Sequence, residues 1–219
     1  MSSNLVQTKT RRLVSALALA TCLTLASSAS AQASNAQTFV QNEQVRISTL
    51  LRQPANGPRD AQITQVLDTM VDYDELARRT MGQPCPQGEE QCVNHWAELT
   101  DEQKSEVSLL LRQLVQKNYR KNLIKTLDYD ITYKGARDVG GDTRIRTEAK
   151  SKLQPRDPAV QVDYVVRGGG DHYRVVDIVT EGSSLTKNYY DQFHKMMTNP
   201  AQKYAYIAQK LREKIAKKD

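Results

Sequence analysis

VQVDYVVRGGGDHYRVVDIVTEGSSLTKNYYDQF, residues 160–193, decides the fold. Val160, Val162, Tyr164 and Val166 alternate with Gln161, Asp163, Val165 and Arg167, the period-2 pattern of a strand with one apolar face. Gly168, Gly169, Gly170 and Asp171 tolerate positive φ, so a hairpin turn follows. Tyr173 to Thr180 returns as a Val/Ile-rich strand, and Glu181-Gly182-Ser183-Ser184 ends it ahead of a helix. A strand pair feeding an amphipathic helix makes a curved sheet with a helix laid across it. Such a cradle can enclose something apolar.

Working outward, the period of two extends toward the N-terminus. Tyr129, Ile131 and Tyr133 make one strand. Thr143 to Lys150 makes another, with Ile145, Thr147 and Ala149 alternating with Arg144, Arg146 and Glu148. Four consecutive strands joined by short turns predict an antiparallel meander, and helices segregated before and after it predict an α+β fold. The preceding helices read as 35–52, about 60–71, a short one opened by Asp72-Tyr73-Asp74-Glu75, and a long one running from Thr100-Asp101-Glu102-Gln103 to about Leu127. Both tetrapeptides place a side-chain acceptor three residues before Glu or Gln, the capping-box signature. After the sheet, Leu185, Tyr189, Phe193 and Met196 share one helix face, Asn199-Pro200 ends that helix, and a last helix carries Tyr204, Ile207, Leu211 and Ile215.

The first thirty-odd residues stand apart. Lys9, Arg11 and Arg12 precede the apolar run Leu13 to Leu25, and small residues flank Ala31 and Ala33, the pattern of a secretory signal peptide cleaved near one of them. The run is too short to span a membrane. Residues 1–31 are therefore expected to leave, and 32–219 to form one domain in an exported, periplasmic protein. Without the leader the formal charge falls from +6 to +3, too little and too C-terminal for a nucleic-acid partner. Two cysteines then remain, Cys85 and Cys92, and an even pair in an exported chain points to a disulfide.

Catalytic signatures are missing. His95, His172 and His194 are scattered and lack metal-ligand spacing, so no metal is expected. Gly182-Ser183-Ser184-Leu185 lacks the second glycine of a nucleophile elbow, and neither a phosphate loop nor a dinucleotide fingerprint occurs. Asp163 and Asp177 on neighbouring strands, or His172, are the only acid/base candidates. A binding protein without cofactor is the expectation, and an enzyme is the rival.

Val71-Asp72-Tyr73-Asp74-Glu75-Leu76-Ala77-Arg78-Arg79, Gly82, His95-Trp96 and Leu99-Thr100-Asp101-Glu102-Gln103 resemble the MlaC-like toluene-tolerance family. So do Val162-Asp163-Tyr164, Tyr173-Arg174-Val175-Val176-Asp177-Ile178, Glu181-Gly182-Ser183-Ser184-Leu185, Asn188-Tyr189 and Gln192-Phe193. The likeness covers nearly all of 32–219. It implies a twisted four-stranded sheet with helices enclosing a lipid pocket. It implies a periplasmic carrier passing phospholipid between an outer-membrane lipoprotein complex and an inner-membrane MCE-domain ABC transporter, which maintains outer-membrane asymmetry. Another lipid, such as a hopanoid, is the nearest alternative. In the family Gly82 is followed within a residue or two by the aromatic pair; here residues 83–94, carrying both cysteines, intervene as a surface insertion.

Two long acyl tails would cost on the order of 25 kcal/mol to expose to water, at about 0.8 kcal/mol per methylene. A carrier must supply matching apolar wall. The candidates on the sheet are Val162, Tyr164, Val166, Val175 and Val179; those on the helices are Met70, Leu76, Leu110, Leu114 and Phe193. Which face the return strand shares with the first depends on one register step.

Overall fold

The computed structural model describes residues 25–86, 88–170 and 172–217. The expected leader lies outside these residues as far as position 24, as does Asp171 of the expected hairpin turn. Among the described residues six α-helices surround one antiparallel sheet: α1 Leu25–Leu51, α2 Gly57–Met70, α3 Tyr73–Thr80, α4 Asp101–Leu123, α5 Leu185–Thr198 and α6 Lys203–Ala216. The first helix begins well before the Asn35 start that the sequence suggests.

Local chemistry sets the helix starts. The Asp72 carboxylate accepts from the Glu75 amide at 2.9 Å to open α3. At α4 the full capping box forms: Thr100 Oγ1 accepts from Gln103 N, and Gln103 Oε1 accepts from Thr100 N. Each satisfies a backbone donor that a bare helix end would leave unpaired. The long helix stops at Leu123, and a 3-10 turn over Ile124–Asp128 carries the chain into the sheet.

The sheet runs β1 Tyr129–Val139, β2 Asp142–Ser151, β3 Val160–Gly169, β4 His172–Thr180 and β5 Ser183–Ser184, in that order and with every neighbour antiparallel. The meander is as expected, but it has five strands, not four. The added strand is the Ser183-Ser184 pair, folded back on Val179 and Thr180, and two residues are too few to show a period. Gly168 has φ +118°, and a Cβ there would sit 1.9 Å from the His172 carbonyl, so the tight β3–β4 hairpin requires glycine.

One face of the sheet is covered. α1 crosses β1, β2 and β3, while α3 and α5 meet β4. Beneath them a continuous core includes Val40, Leu67, Met81, Leu111, Ile145 and Val166. The other face carries a small separate cluster of Val165, Val176 and Val179 with Val139 packed against it, and is otherwise mostly polar.

A β-bulge between Val165 and Val166 settles the register question. Val166 pairs with Val175 but Val165 pairs with Asp177, so Val176 is the unpaired extra residue. The bulge shifts parity along β4. Val175 therefore joins the covered face, and Val179 turns to the opposite face with Val165 and Val176.

Candidate functional site

Between α1, α4 and the covered face of the sheet lies a cavity of about 1000 Å³. Its deep end is apolar and buried, with Met70, Val71, Leu76, Tyr164 and Val175 on its wall. Val71 bridges to Val175, which brings the end of α2 onto β4. Further out the wall comes from Ile47, Val115, Leu127, Ile131 and Ile178.

Strand register locates the mouth. β1 starts opposite the end of β2, β3 starts opposite the end of β4, and β5 pairs with that same end of β4. The cavity reaches this edge at Asp130, Lys152 and Ser183, joined by Asn122 on α4, Asn188 on α5 and Arg52 just past the end of α1. All six are exposed. Two cations flank the opening. Lys152 is held by the Leu127 carbonyl at 2.9 Å and by Asp130 at 3.4 Å.

A polar bar crosses the apolar interior. Gln44 on α1 donates through Nε2 to the Tyr164 hydroxyl at 2.7 Å and accepts from the Tyr133 hydroxyl through Oε1. Burial pushes both phenols up from their ordinary value, and for Tyr164 the Gln44 donor works weakly the other way. Both rings therefore stay neutral and serve as donors or acceptors only.

Of the residues singled out by sequence, Met70, Leu76, Tyr164 and Val175 meet on this wall. Six do not. Leu110, Leu114, Val166 and Phe193 lie in the solid core, and Val162 packs half-buried against that core. Val179 is on the far face of the sheet. The helix residues were displaced because each helix turns its most apolar edge to the solid core and a neighbouring, mixed edge to the cavity. On α4, Leu110, Leu111 and Leu114 face the solid core, while Val115, Asn118 and Asn122 border the cavity. On α5, Tyr190, Phe193 and Met197 are buried, whereas Leu185, Asn188 and Tyr189 border the cavity. A helical period shows that a face is apolar, not which neighbour it meets.

Sequence reasoning missed Gln44 altogether, and it placed Tyr133 on a strand without assigning it to the site. A signal existed for the first. Val40, Ile47 and Leu51 form one buried stripe of α1, and Gln44 is the polar residue inside it. Tyr133 belongs to the Tyr129, Ile131, Tyr133 alternation, whose inner side proves to be cavity wall.

The acid/base candidates have local partners. Asp163 is fully buried and paired with Arg144 at 2.7 Å. Asp177 accepts from Ser184 Oγ at 2.6 Å and from the amides of Ile178 and Thr186, which ties β4 to the start of α5. His172 is exposed. Among the described residues no group of three or more His, Cys, Asp or Glu is placed to hold a metal, and no helix is long and apolar enough to cross a membrane.

Cys85 and Cys92 form the expected disulfide. Their loop is fixed to α5, where Tyr190 Oη accepts from Val93 N at 2.9 Å and Lys187 pairs with Glu89 at 3.0 Å. Gly82, at φ +83°, lets Val93 approach: a Cβ would lie 2.4 Å from the Val93 carbonyl.

Residues 41–213 match the family model described as MlaC protein. The fold is similar to that of a phospholipid-binding protein from Ralstonia solanacearum, solved in complex with a phospholipid. The two are 20% identical, the match covers 86% of this chain and 97% of that one, and the TM-score is 0.60. No curated protein matches the chain.

Proposed function

This chain belongs to the MlaC family, and from that premise we propose that it is a lipid carrier whose cargo is phospholipid. The cavity of about 1000 Å³ beside the sheet carries the reading. Packed protein interiors leave few voids larger than a water molecule, and pockets for drug-sized ligands run about 300–1,000 Å³. A space at the top of that range suits long hydrocarbon tails. Binding of a phospholipid by the similar Ralstonia protein supports the same cargo here.

In this reading the tails lie along Met70, Leu76, Tyr164 and Val175, and the headgroup stays at the polar rim near Arg52 and Lys152. Cargo is held by burial of apolar surface, so no bond is made or broken. The carrier works in the periplasm after cleavage near Ala31 or Ala33, as residues 32–219, with residues 83–94 an insertion stapled by Cys85 and Cys92. It exchanges phospholipid with an outer-membrane lipoprotein complex and an inner-membrane MCE-domain ABC transporter, and so helps maintain outer-membrane asymmetry.

Organic extraction of the protein purified from the periplasm, followed by mass spectrometry, tests the proposal. Stoichiometric phospholipid is expected. A polycyclic triterpenoid would reassign the cargo to a hopanoid. A protein that emerges empty and takes up no phospholipid from vesicles would overturn the carrier reading.

A further inference from the structure

The uncovered face of the sheet has a second, smaller cleft of about 220 Å³, lined by Lys134, Gly135, Ala136, Arg137, Arg144, Arg146 and Asp163. Four of these side chains are cations. Two acids answer them: Asp163 beneath, bound to Arg144 at 2.7 Å, and Glu148 beside, bound to Lys134 at 2.8 Å. Arg146 reaches no closer than 3.9 Å to Asp163 and is half exposed. Arg137 is exposed and makes no ion pair or side-chain hydrogen bond among the described residues.

Two features of the backbone make this more than a solvated strand face. Arg137 and Arg144 are direct cross-strand partners in the β1–β2 register, and like charges directly opposite each other are destabilising. Arg144 serves the fold by pairing the buried Asp163, but Arg137 opposite it adds only repulsion and no bond of its own among the described residues. The β1 strand also bulges between Tyr133 and Gly135, and a Cβ at Gly135 would meet nothing within 4 Å. The bulge hollows the strand and leaves the arginine forks around an open space.

We propose that this cleft is a docking site for an acidic segment of a partner protein, whose carboxylates are received by Arg137 and Arg146. Guanidinium forks match carboxylates in a two-point geometry. An anionic membrane is the poorer fit. A flat surface cannot enter a cleft, and binding there would need large apolar side chains beside the cations. The apolar residues of this face are the buried Val165, Val176 and Val179 and the half-buried Val139, while the exposed Val45, Ile124 and Leu153 lie on α1, the turn before β1 and the loop after β2. The site is on the reverse of the strands that carry Tyr133 and Tyr164, so it is independent of what the cavity holds.

Titration of the mature protein with hexaglutamate peptide, followed by amide chemical shifts, tests this. Shifts are expected along β1 and β2, with affinity falling as salt rises. R137E/R146E should weaken the peptide at least tenfold, while melting temperature and co-purified lipid stay unchanged. R137Q/R146Q provides a milder version should the reversal unfold the chain. Peptide binding that neither variant weakens, or no peptide binding, overturns the proposal. So does binding to vesicles of phosphatidylglycerol and phosphatidylcholine that is lost in the same variants when the peptide does not bind. Lipid content is read separately, so failure here leaves the carrier reading standing, and an empty protein leaves this one testable.

Discussion

The two ends of the sheet are built on opposite plans. At the hairpin end the interior is filled, and it is locked by a buried ion network. Arg79 on α3 holds Glu75 at 2.9 Å and Asp142 at 2.5 Å, while Arg167 reaches the same two acids at 2.6 and 2.8 Å. At the other end, where β1 starts and β2 and β4 finish, the interior is hollow and the rim is exposed. α4 spans both: its first half, with Val107, Leu110, Leu111 and Leu114, is buried in the core, and its second half borders the cavity. A cavity costs stability because its lining has lost packing partners. The filled end must therefore hold the fold while the hollow end is kept open.

That division can be broken from the filled end first. Arg79→Met should cost about 3 kcal/mol, the lower end of what removing one partner of a buried pair costs, since Arg167 still reaches both acids. Denaturant unfolding measures it. Leu111→Ala, at a fully buried core position, should cost about 2–5 kcal/mol by the same measurement, with the upper half expected if the site cannot collapse. A loss below about 1 kcal/mol at either site would mean that the filled end is not where stability resides.

A smaller effect is expected at His95, buried against α5, where its Nε2 lies 2.9 Å from His194 Nδ1. Burial holds the His95 imidazole below its ordinary 6.5, with Glu98 acting the other way and His194 and Lys203 adding to the depression. The unfolded chain then takes up a proton that the folded chain refuses. Stability is full above pH 6.5 and declines as pH falls from there toward the folded value. Melting curves of the wild type and His95→Phe should diverge on acidification, with the variant showing the shallower decline. Equal slopes would remove His95 from the account.

The smallest change in stability should come from the hollow end. Ile131→Trp on the cavity wall puts bulk into empty space, where overpacking of a filled core would cost about 1–3 kcal/mol. The delipidated variant should melt within a degree or two of the delipidated wild type, at about 2–4 °C per kcal/mol for a domain of this length. Extracted phospholipid should fall sharply. Strong destabilisation with undiminished lipid would show that this wall is packed core.

The sequence alone determined the α+β meander, the capping box at Thr100-Gln103, the cystine and the hairpin at Gly168, because each follows from residues close together in the chain. At Asp72 only half of the expected box forms, since the Asp72 amide donates to Val175 and the Glu75 carboxylate is taken by arginines. It also supplied four of the cavity residues, Met70, Leu76, Tyr164 and Val175. Only the tertiary structure decided the rest. The bulge at Val165/Val166 reversed Val179, and the rotation of α4 and α5, which turns their most apolar edges to the core, separated Leu110, Leu114 and Phe193 from the cavity wall. Gln44 meets Tyr133 and Tyr164 across 89 and 120 residues. Periodicity reports that a side chain faces inward, but a filled interior and a hollow one present the same apolar period. Which of the two lies beneath a given residue depends on how far apart the packed elements stand, and that distance is set by the whole fold.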